Sequence, residues 1–347
     1  MIELLRTVRI VGLRPMLDLA RAMRVSWVGM ISGFYATRTL QALFNVGFFK
    51  EMLASGRVNA EAFARAGNLD ARILKALCES LVSLCILGKD GADYYTLERK
   101  GRLLAEVGRG WFYGVYGYED ILHHLEALLK KEKTYGKDVF RRHEYIARGS
   151  SEMEEKIYYP LVADWIRRRG FKRFLDLGCG EGTFLRYMCR QVPDLAAYGI
   201  DIAPEAIEGA RARAEKAGLS DRMHLLTAAI SHLDELPREF CQIEVATILF
   251  VLHELLFVSE QGVVDFLSAF RRLFPGVPLV VFEAIRPSPA EMRRRLGMAV
   301  HYHLQHDLSN QKTVDRAAWR ELFRRAGFES IEERYMGFAR TSMFTLR

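Results

Sequence analysis

Two stretches of the sequence carry side chains spaced for chemistry. The first is Asp176-Leu177-Gly178-Cys179-Gly180-Glu181-Gly182, with glycines at alternate positions directly after a carboxylate. Glycines there let the backbone approach a ligand closely. The carboxylate would repel a pyrophosphate, but it suits a ligand bearing an ammonium and a sulfonium. Asp201, about 20 residues on and followed by Ile202, is placed to accept hydrogen bonds from ribose hydroxyls. The spacing G-x-G-x-G, in place of G-x-G-x-x-G, together with the two carboxylates favours S-adenosylmethionine (SAM) over NAD. In the second stretch, His253 and Glu254 follow an apolar run, Ile243–Leu249. An imidazole and a carboxylate then adjoin at the end of a strand, where open α/β sheets bind ligands.

These residues need a sheet to position them. The sequence predicts strands at Arg173–Leu177, Ala197–Ile200, His224–Thr227, Ile243–Leu249 and Pro278–Phe282, alternating with helices. The expectation is α/β, with a parallel sheet flanked by helices. Upstream the pattern is helical. Val58–Glu61 opens a short helix, and Asp70 caps a longer one with Ile73, Leu74, Leu77, Leu81 and Leu84 on one face. Strands at Cys85–Leu87 and Tyr94–Leu97, around a turn at Gly88–Gly91, complete a helix, helix, hairpin order that reads as a winged helix. That second helix has few polar side chains for base edges, so a structural or dimerising role is expected in place of DNA binding. The expected divisions are 1–105 for this helical domain, 106–170 for a linker and pocket segment, and 171–347 for the cofactor domain.

Composition narrows the class. Half of the 347 residues are hydrophobic, which excludes a disordered chain, and the net charge of +7 suits anionic ligands. The apolar run Val25–Ala36 is too short to span a bilayer. Five scattered cysteines form no C-x-x-C pair, as expected of a reduced, cytoplasmic protein without disulfides. Leu17, Leu19, Met23, Trp27, Met30 and Phe34 give more apolar helix face than a small domain buries alone, which predicts a homodimer.

Phe174 to Gly182 (FLDLGCGEG) and Tyr198 to Asp201 (YGID) resemble the first two motifs of the class I SAM-dependent methyltransferases. The resemblance implies a Rossmann-like domain with a mostly parallel seven-stranded sheet. In it Asp176, Gly178, Gly180 and Gly182 contact the cofactor's amino acid part, with Asp201 and Ile202 at the ribose end. Thr227-Ala228-Ala229 departs from the family's usual acidic position after the third strand. Phe250 to Gln261 (FVLHELLFVSEQ) is similar to the catalytic segment of the two-domain small-molecule O-methyltransferases, whose winged-helix domains dimerise. On that resemblance His253 is a general base for a phenolic hydroxyl, Glu254 stands where aspartate is usual, and Glu283 flanks the base.

Two departures point elsewhere. The family's second flanking glutamate has no counterpart in Thr341–Thr345, and His301, His303 and His306 crowd a segment where the chain returns to the active-site face. His253, Glu254 and one of these would form a two-histidine, one-carboxylate site suited to Fe or Zn. That is similar to the α-keto acid C-methyltransferases, including those acting on 2-ketoarginine, and this resemblance selects His306 as the ligand. The reading leans to metal-assisted C-methylation of a small keto acid through an enolate, with O-methylation as the alternative. A winged-helix regulator with a vestigial methyltransferase fold is the distant rival. Trp111, Tyr113, Tyr116, Met153, Tyr159 and His303 are the candidate pocket residues.

Overall fold

The structure, a computed structural model, describes residues 9–24, 27–294 and 298–347. The chain forms two compact units, Met1–Tyr116 and Gly117–Arg347, so the division falls inside the segment expected as a linker.

The first unit begins with helices α1 (Leu13–Arg24), α2 (Trp27–Asn45) and α3 (Phe48–Ser55). Strand β1 (Arg57–Asn59) leads into α4 (Ala60–Ala66), capped by the Asn59 side chain on the Ala62 N–H. Helix α5 (Ala71–Ser83) follows, capped by Asp70 on Ile73. Each cap satisfies an N-terminal donor that the helix leaves unpaired. Strands β2 (Leu87–Asp90) and β3 (Tyr94–Leu97) form the hairpin, and β1 pairs along β3. The helix, helix, hairpin order is therefore present, with β2 displaced from its expected position. Cys85 ends the helix in a left-handed conformation (φ 53°), so the strand starts later and the turn moves to residues 91–93.

Apolar side chains of α2 and of the segment before it stay exposed, Met30 at 73% and Phe34 at 65% among them. Leu17 and Trp27 are exposed too, while the side chains of Leu19 and Met23 lie outside the described set. Of the candidate pocket residues here, Tyr113 is buried beside Phe44, Tyr116 lies near the Arg38 guanidinium, and Trp111 is partly exposed.

The second unit is built on a seven-stranded sheet in the order β6-β5-β4-β7-β8-β10-β9. The strands are β4 (Arg173–Leu177), β5 (Ala196–Asp201), β6 (Met223–Thr227), β7 (Val245–Leu249), β8 (Leu279–Ala284), β9 (Ile331–Met336) and β10 (Thr341–Leu346). All pairings are parallel except those of β10, which runs antiparallel to β8 and β9. Alternate residues serve the two faces, as strand geometry demands. Leu175, Leu177, Ile248 and Val281 join one core with Phe270 and Trp319 from helices α10 (Glu260–Leu273) and α12 (Arg316–Arg325). Phe174, Val245, Val280 and Phe282 join the other, against α6 (His143–Arg169), α7 (Thr183–Gln191) and α8 (Pro204–Lys216). Near the strand ends lie α9 (Leu252–Val258) and α11 (Met298–Asp307). Strand β4 has β5 on one side and β7 on the other, so the order reverses there, and the C-terminal end of such a strand is where open α/β sheets bind ligands. Among the described residues, no helix is long and apolar enough to cross a membrane.

Candidate active site

The chain leaves β4 through a loop held by its own backbone. Gly178 and Cys179 both donate to the Ile200 carbonyl, at 2.9 Å each. Gly178, Gly180 and Gly182 all have positive φ (81°, 51° and 67°), a region that costs other residues dearly. Gly178 is confined as well, because a Cβ there would come within 2.9 Å of Val251. Asp201 fastens the loop from the next strand. Its Oδ2 accepts from the Gly180 N–H at 2.8 Å and its Oδ1 from the Ala203 N–H at 2.9 Å. Ile202 beside it is 74% exposed, leaving an open apolar edge.

Asp176 is buried at the end of β4 and accepts from the Thr247 hydroxyl at 2.6 Å. Burial pushes its carboxyl up to about 7, and the charge of Asp201 acts in the same direction. Glu154, on α6, is likewise raised to about 7 by burial, with the charge of Asp176 adding to the effect and a hydrogen bond to Tyr159 opposing it. Two acidic groups short of a cation are therefore poised beside the loop. Tyr159 is packed on Phe184 with ring centroids 4.7 Å apart, and Met153 lies half-buried nearly two turns earlier on the same helix.

At the same edge of the sheet, β7 ends at Leu249 and the backbone turns sharply. Phe250 takes a left-handed conformation (φ 56°), strained for an aromatic residue, while its N–H still donates to the Phe282 carbonyl. This turn delivers His253, only 2% exposed, onto Glu283 at the end of β8. Nδ1 of His253 lies 3.0 Å from Glu283 Oε2, and the His253 backbone N–H donates to Oε1 at 3.3 Å. The carboxylate thus orients the ring, and the lone pair at Nε2 faces the Gln311 amide nitrogen 3.2 Å away.

Glu254 faces a different set of groups. Its Oε1 accepts from Arg141 Nη2 at 2.7 Å and from Gln311 Nε2 at 2.9 Å. The guanidinium and that amide hold the carboxylate below its usual range against the desolvation that opposes them. Arg141 is itself largely buried, and its Nε has no hydrogen-bond partner.

Of the three clustered histidines, His306 reaches the site. Its ring centroid lies 4.9 Å from that of His253, and it stacks on Tyr302 at 3.8 Å. Its Nδ1 donates to the Tyr302 carbonyl at 2.6 Å, and burial pushes it down to about 2, so the ring is neutral. His303 is a structural group, bonded through Nδ1 to the Thr313 hydroxyl at 2.8 Å and lowered to about 4 by burial. His301 is exposed.

The structure brings two of the three expected metal ligands together. Among the described residues, no group of three or more His, Cys, Asp or Glu is arranged to hold a metal ion. Glu254 Oε1 is engaged by Arg141 and by the Gln311 amide nitrogen, which stands between it and His253 Nε2. The donor chemistry of the remaining pair does suit an ion, since both rings are fixed through Nδ1 and keep Nε2 as a lone-pair donor. Arg141, Gln311, Tyr118 and Glu154 were absent from the expected site residues. A lone arginine, glutamine or tyrosine far along the chain carries no spacing signal.

This combination of a glycine-turned loop at the switch point, acidic groups around it and a histidine–carboxylate pair opposite defines a class I methyltransferase. Residues 174–274 match the family model described as a methyltransferase domain. The chain is 28% identical over 311 residues to 2-ketoarginine methyltransferase of Streptomyces arginensis, covering 88% of each protein. It is 25% identical over 316 residues to indolepyruvate C-methyltransferase of Streptomyces griseus, covering 88% and 89%. Among solved structures, mitomycin 7-O-methyltransferase superposes with a TM-score of 0.68 at 18% identity, over 95% of this chain and 99% of that one. The chain belongs to the SAM-dependent methyltransferases, and its fold is that of the two-domain O-methyltransferases.

Proposed function

We propose that this enzyme transfers a methyl group from SAM to the carbon next to the carbonyl of a small α-keto acid. One observation carries the reading: the Arg141 guanidinium, whose Nε has no hydrogen-bond partner, is bonded to Glu254, the residue next to His253, and so offers a carboxylate a charged partner near a base. The two near-full-length relatives named above as a ketoarginine and an indolepyruvate methyltransferase support it.

In this mechanism Asp176 and the loop glycines hold the amino acid part of SAM, and Asp201 its ribose. Arg141 receives the substrate carboxylate at Nε. His253 takes the proton from the carbon beside the carbonyl through Nε2, and Glu283 stabilises the imidazolium at Nδ1. The electron pair left on carbon forms the new bond to the methyl group. The S–CH3 bond breaks with its electrons moving to sulfur, giving S-adenosylhomocysteine (SAH). In a metal-bound alternative, a divalent ion would be held by Nε2 of His253 and of His306 and would supply polarisation of the keto oxygen; the single Nε2 lone pair of His253 would then be occupied, and the proton from carbon would go to another base. The exposed faces of α1 and α2 suit a second copy of the chain, making a homodimer.

The test is the position of the label after incubation with 13C-methyl SAM and keto acids with guanidino or aromatic tails. Carbon-13 spectra should place the methyl on carbon. A methyl on oxygen, or turnover of phenols alone, would make His253 the base of an O-methyltransferase. Metal analysis of the purified protein reads the two-histidine assignment separately.

A further inference from the structure

Gln311 lies at the centre of the acceptor side and has no part in the mechanism above. It is 5% exposed, and its side chain uses both ends of the amide. Oε1 accepts from the Tyr118 hydroxyl at 3.2 Å and from the Ser309 hydroxyl at 3.1 Å. Nε2 lies 3.2 Å from His253 Nε2 and donates to Glu254 Oε1 at 2.9 Å. This is the sole consistent orientation. The flipped amide would set its oxygen against a carboxylate oxygen and an imidazole lone pair. The backbone holds the residue from two sides. Its N–H donates to the His306 carbonyl at 3.1 Å, Asn310 before it is left-handed (φ 55°), and the Lys312 N–H donates to the His253 carbonyl at 3.2 Å.

We infer that Gln311 is a displaceable positioning residue: its NH2 group fills the point where the His253 and Glu254 lone pairs converge, until an incoming group replaces it. With Glu283 accepting the Nδ1 proton, the Gln311 amide fixes the tautomer of His253 from the opposite side. Two acceptors meet at that point, which dictates what can enter. A hydroxyl, an amine, water or a cation satisfies both acceptors, whereas a bare keto oxygen faces two lone pairs and is repelled. For an α-keto acid, a substrate class that rests on the proposed function, the keto oxygen is then kept from this point while the adjacent C–H can be presented to Nε2. The amide placement itself does not depend on that class.

Two variants of the full-length, SAM-bound enzyme test this. Gln311→Met keeps the side chain's length and removes its donors. Imidazole 15N spectra, with His253 assigned by His253→Gln, should show a hydrogen-bonded Nε2 in the parent. In Gln311→Met that signal should move toward an unbonded, pyridine-type nitrogen. On a keto acid that turns over, kcat should fall about tenfold while acceptor KM falls a few-fold and SAM affinity holds, because competition and orientation are lost together. An unmoved Nε2 signal overturns the inference, as does unchanged kcat and KM.

Gln311→Glu keeps both hydroxyl contacts and turns the donor into a third acceptor. Its Co2+ affinity, read by the visible absorption of the bound ion, should rise about tenfold or more over the parent. No gain would count against the convergence. Neither the nitrogen spectrum nor the cobalt titration needs turnover. Failure of every keto acid to react would therefore fault the proposed function and leave this inference to its own readouts.

Discussion

The two sides of the candidate site are built by opposite means. The proposed cofactor side is made mostly of backbone: three glycines in left-handed conformations, N–H groups bonded to Ile200, and Asp201 pinning Gly180 and Ala203. The proposed acceptor side is made of side chains from distant parts of the chain, with Tyr118, Arg141, His253, Glu254, Glu283, His306 and Gln311 joined in one network. A backbone site must be encoded by residue types that tolerate its torsions. A side-chain site can be assembled from anywhere the fold allows. The two sides should therefore fail differently when damaged.

The largest effect is expected on the acceptor side. His253→Ala should lower kcat by about 10²–10⁴, the usual contribution of a positioned base, while SAM binding by calorimetry stays at the parent value. Loss of cofactor binding in that variant would show that the two sides are one structural unit. The mirror experiment is Asp201→Ala, which removes acceptors for two loop N–H groups. SAM affinity should fall about 10- to 100-fold, measured by calorimetry, with the His253–Glu283 pair intact. Should Asp201→Ala bind SAM normally, the loop would have to be rigid without its carboxylate clamp.

The same contrast explains what was legible in the sequence. The glycine loop, Asp176 and Asp201 are contiguous or one strand apart, and strands β4 to β8 were readable from their apolar runs. His253 and Glu283 stood out in the sequence because one follows and the other ends an apolar strand run. The β9–β10 hairpin was not, because β9 alternates as Ile331-Glu332-Glu333-Arg334-Tyr335-Met336 with most of its polar groups in ion pairs, and so lacks an apolar run. Composition alone gives the clustered histidines no direction. Three residues apart on α11, His303 and His306 face different partners, Thr313 and His253. Glu254, expected as a carboxylate ligand, turns to Arg141, a partner 113 positions away.

A pH experiment sharpens the comparison further, since the cofactor side carries its acids raised. Asp176 rises from 3.8 to about 7 through burial, so between those values the native chain binds more protons than the unfolded one. That group's contribution to stability is therefore full below about pH 4 and falls as pH climbs to about 7. The Tm difference between the parent and Asp176→Asn, both without SAM, should shift against the parent across that window. Bound SAM, which brings a positive charge to the carboxylate, should flatten the trend. SAM affinity should rise with pH through the same range, because the anionic form binds the cation. A parent-minus-variant Tm difference that stays flat with pH would place Asp176 in a more solvated setting.

The smallest effect tests where the two sides touch. Thr247 lies on β7, the strand that leads to His253, and it is in register with Asp176 on β4. Its hydroxyl donates to Asp176 Oδ1 at 2.6 Å, a bond that favours the charged carboxylate and lowers its pKa against the burial that raises it. Thr247→Val keeps the shape and removes the donor, so Asp176 should hold its proton to higher pH. Near neutral pH the variant should bind SAM about three- to tenfold more weakly, the worth of one hydrogen bond to a charged group. At pH 9 both proteins carry an ionised Asp176, and the gap should narrow. A gap of constant size across pH would mean that the hydroxyl acts by packing. A gap that closes would show β7 tuning the cofactor side with one residue while it delivers His253 to the acceptor side a few residues later.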